Sequence, residues 1–210
     1  MKLYFSPGAC SLAPHIVLEE LGLSYDVESV DLRTKKTSAG QDYFKINPKG
    51  SVPALDLKEG GLLTECAVVL QYLCDKKPEK GLIPQVGTPE RYRCLEWLNF
   101  VATDMHKGLG ALFATDRMFP ESPTSAQEYR TATIANMERR FAFLNSHFET
   151  NEFLMGKQYS AADAYLFTIL GWANWLKVDL SKHVHVFGFM ERMMGRPAVQ
   201  KAMKAEGLLK

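Results

Sequence analysis

Residues 2–22 read KLYFSPGACSLAPHIVLEELG, and this stretch decides the fold. Its first four residues have the alternation of a short strand, and the apolar residues after Cys10 have helical spacing that ends at Gly22. The turn Ser6-Pro7-Gly8-Ala9 joins the two and leads directly to Cys10. The stretch therefore predicts an α/β unit with a cysteine where a strand passes into a helix.

The same mixture of strands and helices continues to about residue 80. Prolines and glycines between 78 and 89 then predict a linker. The element order β-α-β-α-β-β-α assigns residues 1–80 to one domain and residues 81–88 to the linker. Beyond the first strand and helix, the expected elements are a strand over 25–30, a short helix at 42–45, a hairpin of strands 52–57 and 62–63, and a helix over 65–76.

Helical spacing accounts for the rest of the chain. It predicts a second domain over 89–210 in which every element is a helix. A cleft between two domains is a common place for a ligand, so functional residues are expected where the domains face each other. The expected helices lie near 90–114, 124–148, 161–176, 184–195 and 197–204.

The composition argues against several classes of function. The net charge is +1, so no basic surface for nucleic acid is expected. Cys10, Cys66, Cys74 and Cys94 form no CxxC pair and have no metal-ligand spacing with the histidines, so no metal site is expected. No apolar run resembles a signal peptide or approaches a membrane span, which predicts a reduced, cytoplasmic protein without a membrane partner.

Cys10 is the first candidate for chemistry. Unpaired N–H groups and the positive end of the helix dipole meet at a helix N-terminus, so the pKa of this thiol is expected to fall below its ordinary value. The alternative is a small buried cysteine that fills the corner between strand and helix.

Val52-Pro53 is a second candidate, because it follows a Gly50-Ser51 turn and opens a hairpin strand. A cis proline here would turn the backbone of Val52 toward solvent, where its N–H and C=O can pair with an extended peptide ligand. The alternative is an edge proline that only ends strand pairing.

Glu65 and Cys66 begin the predicted helix 65–76. Free N–H groups at such a terminus bind a carboxylate, and Glu65 can accept a hydrogen bond from an ammonium group, so the pair suits an α-amino-acid head. The alternative is that Glu65 only favours the helix dipole.

Asn99, Thr103 and His106 are spaced i, i+4 and i+7 and are predicted to share one helix face. Polar side chains in this position must face water, a partner subunit or a ligand. The alternative for His106 is a role at the helix end. Two further features are interpreted as structural, namely a capping box at Ser160 and Asp163 and packing by Trp172 and Trp175.

These motifs, in this order, resemble the glutathione S-transferases, and specifically the bacterial beta class. The resemblance spans essentially the whole chain and implies a thioredoxin-like α/β N-terminal domain, an all-α C-terminal domain and a twofold homodimer. It is carried by PGACS at 7–11, NPKGSVPAL at 47–55, LTE at 63–65, AVVLQYL at 67–73, EWLN at 96–99, HKG at 106–108 and ADAYLF at 162–167.

The resemblance also implies roles for individual residues. Val52 beside cis Pro53 would pair with the cysteinyl backbone of glutathione, Glu65 and residue 66 would bind its γ-glutamyl end, and Cys10 with His106 would act at the sulfur as catalytic residues. Asn99 and Thr103 would reach the glutathione of the partner subunit. The implied glutathione site comprises Ala9, Cys10, Lys35, Val52, Pro53, Glu65, Cys66, Asn99, Thr103, His106 and Lys107.

The implied activity is conjugation of the glutathione thiolate to small hydrophobic electrophiles, with glutathione as co-substrate and no other cofactor. Thiol–disulfide exchange through Cys10 is a second chemistry open to the same site. The electrophile would contact side chains such as Leu109, Leu112, Phe113, Tyr165 and Trp172. Two alternatives remain open: a non-catalytic binding or regulatory protein on this fold, and a dedicated glutathione-dependent dehalogenase or lyase.

Position 66 departs from the pattern of the family, which usually has serine there. The loss of one hydroxyl hydrogen bond predicts weaker glutathione binding by about 0.5 to 1.5 kcal/mol. Cys66 is also a second candidate for thiol oxidation.

Overall fold

The computed structural model describes residues 1–210 and begins with a five-stranded mixed sheet. The strand order is β3-β2-β1-β4-β5. β1 pairs in parallel with β2, with Leu3 beside Val27, and the other pairings are antiparallel, with Leu3 beside Leu55 across β4. The strands are β1 (Lys2–Phe5), β2 (Asp26–Asp31), β3 (Lys36–Thr37), β4 (Ala54–Asp56) and β5 (Leu62–Thr64).

The helices of this domain are α1 (Leu12–Leu21) and α2 (Cys66–Asp75), which pack against each other. The order of elements agrees with the sequence-based prediction, apart from three details. β3 was not predicted, the short helix is a single 3₁₀ turn at Tyr43–Lys45, and β4 begins only at Ala54. A proline has no N–H to donate to a strand ladder, which explains why pairing starts after Pro53.

The second half of the chain is helical, as predicted. The expected helix at 90–114 is α3 (Pro89–Phe100), a π-helical segment (Val101–His106) and α4 (Lys107–Leu112) in direct succession. Neither the π segment nor the short α5 has a signal in the local sequence. The other helices are α5 (Thr115–Met118), α6 (Pro123–Thr150), α7 (Ala161–Leu176), α8 (Val184–Met194) and α9 (Pro197–Ala205).

One apolar core runs through both halves of the chain, because α7 lies against α1 and α2 as well as α3 and α4. The first ten residues of α7 are all buried. α9 returns to pack on α1. None of the helices combines the length and the apolar character that a membrane span requires. The predicted fold class, a thioredoxin-like α/β domain followed by an all-α domain, is confirmed, while the linker bounds 81–88 stay a prediction.

The start of α7 contains the predicted capping box. Asp163 Oδ2 accepts hydrogen bonds from the Ser160 N–H (2.8 Å) and the Ser160 hydroxyl (2.7 Å). Its Oδ1 accepts one from the Leu154 N–H at 2.7 Å. Burial raises the pKa of Asp163 to about 6. The carboxyl group thus ties the loop before α7 to the first turn of the helix.

Candidate active site

A cleft of about 590 Å³ lies between the loops at one end of the sheet and the helices α4 and α7. Its size is that of a small-molecule site. Main-chain groups and two lysines line the sheet side, and aromatic side chains line the helical side. The lining residues are Ser6, Pro7, Ala9, Cys10, Leu32, Lys35, Lys49, Gly50, Ser51, Val52, His106, Gly110, Phe113, Trp172 and Trp175.

Cys10 lines this cleft, but its thiol does not have the lowered pKa that the sequence predicted. The residue is 7% exposed, and Sγ donates a hydrogen bond to the Val52 carbonyl at 3.0 Å. The N–H groups of Cys10 and Ser11 lower the thiol pKa, yet burial outweighs them and raises it to about 12. The expectation of a low pKa is therefore wrong for the ligand-free chain. The free-energy cost of desolvating the thiolate exceeds the stabilisation that the two N–H groups provide.

The turn before Cys10 is held from the helical domain. The Gly8 N–H donates to Glu206 Oε2 at 2.8 Å, and the Trp172 indole N–H donates to the Gly8 carbonyl at 2.9 Å. The other oxygen of Glu206 lies 2.8 Å from His15 Nδ1, and both side chains of this pair are buried. Glu206 was not predicted, because nothing in its local sequence marks a buried carboxylate.

Gly8 itself is required by this arrangement. Its φ is +69°, a region that side chains disfavour. A Cβ at this position would lie 2.0 Å from the Trp175 ring. The turn therefore sits directly against the indole of Trp175, at the boundary between sheet and helices.

The peptide bond between Val52 and Pro53 is cis, as predicted. The preceding loop is held by the Tyr43 hydroxyl and the Asn47 amide, which donate to the Ser51 carbonyl at 2.9 and 2.8 Å. Val52 is buried against Cys10 and lines the cleft. Its carbonyl already accepts the Cys10 thiol, but a carbonyl oxygen has two lone pairs and can accept a second donor.

Lys35 and Lys49 bring positive charge to the sheet side of the cleft. Lys35 Nζ donates to the Gly50 carbonyl at 2.7 Å. Lys49, which the sequence analysis did not select, forms an ion pair with Glu65 at 2.6 Å. Lys49 lies in the motif NPKGSVPAL, three residues before Val52, and this position was the signal that could have identified it.

Glu65 and Cys66 stand at the start of α2, outside the residues that line the cleft. The Glu65 side chain is 66% exposed, and the Lys49 ammonium lowers its pKa. Glu65 has φ +69°, which is strained for a residue with a side chain. The Cys66 side chain points inward, and burial raises its pKa.

His106 faces Cys10 across the cleft from the helical side. Its Nδ1 lies 2.6 Å from the hydroxyl of Tyr165, a residue that is itself buried. Burial and the neighbouring charge of Lys107 lower the imidazole pKa to about 4. His106 is therefore neutral at neutral pH and can serve as a hydrogen-bond partner or a base.

Asn99, Thr103 and Lys107 do not line this cleft. Thr103 donates to the Asn99 carbonyl at 2.9 Å, and Thr103 and Lys107 line a separate groove between the π segment and α6. The predicted shared face is divided because a π-helix bonds residue i to i+5 and so turns Thr103 away from His106. Of this stripe, only His106 reaches the cleft.

The apolar wall differs from the expected one. Phe113 and Trp172 line the cleft as expected, but Leu109, Leu112 and Tyr165 lie in the core. Trp175, interpreted as a packing residue, is 55% exposed and lines the cleft beside Trp172. The signal for Trp175 was weak, because α7 is apolar along its whole length.

The site can bind an elongated polar ligand along the sheet side and an apolar one against the aromatic wall, with a thiol and a neutral imidazole between them. No group of three or more histidine, cysteine, aspartate or glutamate side chains is arranged to bind a metal ion. Ala9 lines the cleft, and Pro53 is buried beside Val52.

Two protein-family models match the chain. Residues 8–76 match the glutathione S-transferase N-terminal domain, and residues 102–197 match the glutathione S-transferase C-terminal domain. Glutathione S-transferase GstA of Escherichia coli O157:H7 is 44% identical over 208 residues, which cover 99% of this chain and 100% of GstA.

Solved structures give the same result. The bacterial beta class glutathione S-transferase of Sphingomonas chungbukensis is 40% identical, with a TM-score of 0.91 and complete coverage of both chains. A sphingomonad glutathione S-transferase complexed with glutathione is 38% identical, with a TM-score of 0.90 and again complete coverage of both chains.

Proposed function

The chain belongs to the glutathione S-transferase family, and we propose that it is a beta-class enzyme whose cleft joins glutathione to small hydrophobic electrophiles. The transferase activity itself follows from the whole-length relatives. One observation carries the assignment to this cleft: the Cys10 thiol lies 3.0 Å from the Val52 carbonyl. A sulfur is thereby placed beside the main-chain group best suited to the cysteinyl residue of a peptide.

The sheet side fits glutathione along its length. The N–H and second lone pair of Val52 can pair with the cysteinyl backbone as an added strand does. The free N–H groups at the start of α2, including that of Cys66, suit the γ-glutamyl carboxylate, and Glu65 suits its ammonium group. Lys35 lies at the other end and suits the glycyl carboxylate.

The helical side fits the electrophile and the chemical step. Phe113, Trp172 and Trp175 supply a flat apolar surface. His106, neutral at neutral pH, can accept the thiol proton of bound glutathione or donate to its thiolate, which attacks the electrophilic carbon. The apolar wall supports a small hydrophobic electrophile as the second substrate.

Cys10 adds thiol–disulfide exchange. A glutathione disulfide bound in the cleft can be attacked by the Cys10 thiolate, which forms a mixed disulfide and releases one glutathione. The high pKa of the free thiol means that ligand binding must first change its surroundings. This activity would suit a role in detoxification in a reduced cytoplasm.

Asn99, Thr103 and Lys107 belong to the proposed homodimer. Thr103 and Lys107 line the groove between the π segment and α6, the Asn99 carbonyl accepts the Thr103 hydroxyl, and none of the three lines the cleft of its own chain. In a twofold dimer, such residues can reach the glutathione of the partner subunit.

The proposal also divides the chain into one domain over 1–80 and a second domain over 89–210. The relatives favour the transferase over a non-catalytic protein or a dedicated dehalogenase.

A calorimetric titration with reduced glutathione, followed by conjugation of an activated chloronitrobenzene, tests the proposal. We expect saturable binding with a stoichiometry near one glutathione per chain and a Kd between about 1 μM and 1 mM. Cys10→Ala should retain much of this affinity and lose the mixed disulfide. His106→Ala should raise the pKa of bound glutathione in the pH profile of conjugation. An absence of glutathione binding would overturn the assignment.

A further inference from the structure

A second thiol lies directly beneath Cys10. The Cys66 Sγ donates a hydrogen bond to the main-chain carbonyl of Cys10 at 3.4 Å. The two cysteines stand at the starts of α1 and α2, and both are buried. They belong to different elements, 56 residues apart in sequence, yet they share one corner of the core.

The thiol of Cys66 is also connected to the cleft. The Tyr165 hydroxyl is near enough to lower the pKa of this thiol against the larger effect of burial, and it lies 2.6 Å from His106 Nδ1. Tyr165 therefore lies between Cys66 and the imidazole that lines the cleft. The other two thiols, Cys74 and Cys94, are buried in the core, and neither lines the cleft.

We propose that Cys66 is a resolving thiol that attacks the mixed disulfide between Cys10 and glutathione. The proposal rests on the thiol–disulfide exchange proposed above. The Cys66 sulfur would form a bond to the Cys10 sulfur, the bond between Cys10 and the glutathione sulfur would break, and glutathione would leave as its thiolate. Starting from the reduced protein, one glutathione disulfide is reduced to two glutathione molecules as both cysteines are oxidised to one disulfide.

The proton of Cys66 has a route in this reaction. It passes to the Tyr165 hydroxyl as the Tyr165 proton passes to His106, and His106 then protonates the departing glutathione thiolate in the cleft. Attack within the chain needs no access from solvent, so burial of Cys66 is compatible with the reaction. The Cys10 side chain must rotate away from Val52, whose carbonyl holds it in the reduced protein.

The test exposes the reduced full-length protein to excess glutathione disulfide, stops the reaction with acid and measures intact mass and unreduced peptide maps. We expect the wild type to contain a Cys10–Cys66 disulfide and little adduct. Cys66→Ser, which keeps a hydroxyl donor for the Cys10 carbonyl, should accumulate the Cys10 adduct to a level about tenfold higher. Cys94→Ala is the matched control for loss of a buried thiol and should behave as the wild type.

Two further variants guard against a failure of folding. Cys66→Ala should accumulate the same adduct as Cys66→Ser. Tyr165→Phe should slow the conversion of adduct to disulfide without preventing the adduct. Equal and stable adduct in the wild type and Cys66→Ser would overturn the resolving role while leaving the exchange activity intact. No adduct in either Cys66 variant would overturn both the exchange activity and the resolving role.

Discussion

The starts of α1 and α7 each hold a buried ionisable group, yet at neutral pH one of these groups is neutral and the other is an anion. Cys10 lies just before the first turn of α1, and burial raises its pKa to about 12. Asp163 lies within the first turn of α7, and burial raises its pKa only to about 6. Asp163 is therefore ionised at pH 7, whereas the thiol of Cys10 is protonated.

The difference shows that position at a helix start does not by itself determine ionisation. The Asp163 carboxylate accepts three hydrogen bonds from fixed donors, and a carboxylic acid is intrinsically far more acidic than a thiol. The start of α2 gives a third case, because the pKa of the exposed Glu65 falls below its usual range. Burial decides the direction for Cys10 and Asp163, whereas the hydrogen bond from Lys49 decides it for the exposed Glu65.

The largest expected effect is at the start of α7. Asp163→Ala would leave the Leu154 and Ser160 donors buried without an acceptor, so we expect a loss of about 3 to 5 kcal/mol in the free energy of unfolding. Ser160→Ala, which removes only the hydroxyl, should cost about 0.5 to 2 kcal/mol. Denaturant unfolding measures both. Similar losses for the two variants would show that the carboxylate does not hold the cap.

Removal of the Glu206 carboxylate tests the corresponding support of α1. Glu206→Ala leaves the Gly8 N–H and His15 buried without their partner, and we expect a loss of about 2 to 4 kcal/mol together with reduced conjugation activity. Glu206→Gln keeps an oxygen acceptor and should lose less. Activity measured in both variants at matched fractions folded separates positioning of the Cys10 turn from stability. A glutamine variant as poor as the alanine variant would contradict this role.

The ionisation of Cys10 can be measured directly through its alkylation by iodoacetamide in the ligand-free protein. Because the thiolate reacts and the pKa is raised, the rate should increase about tenfold for each pH unit from 7 upward, without a plateau below pH 10. The raised pKa also determines how the free energy of unfolding depends on pH. The unfolded chain loses this proton first, so stability falls as pH rises from about 9 toward 12. A plateau of alkylation near pH 7 would restore the low pKa expected from the helix start.

The smallest effect is expected at the start of α2. The ion pair of Lys49 and Glu65 is more than half exposed, so Lys49→Met should change the free energy of unfolding by less than about 1 kcal/mol. The same change removes the cation that competes with a ligand ammonium group for Glu65. Urea unfolding and glutathione titration of this variant show whether the pair contributes to binding rather than to stability.

The fold was predictable from the sequence because the spacing of apolar residues within each segment indicates whether that segment is a helix or a strand. The helix at 161–176 and its capping box were predicted from neighbouring residues, whereas the neighbours of Pro53 left its cis form open and the family resemblance implied it. The site was less predictable, since the pairing of Glu206 with Gly8 joins positions 198 residues apart. The pKa of Cys10 was predicted wrongly for a similar reason, because its thiol is held against Val52, which lies 42 residues away in sequence.

The contact between Gly8 and Glu206 also orders events during synthesis. Gly8 is synthesised before its carboxylate partner, which is made 198 residues later. At about 5 to 20 residues per second, the Cys10 turn waits roughly 10 to 40 s for the group that holds it. During that interval the N-terminal sheet can form, but the thiol corner is incomplete, so nascent chains should acquire glutathione affinity only after α9 has docked on α1.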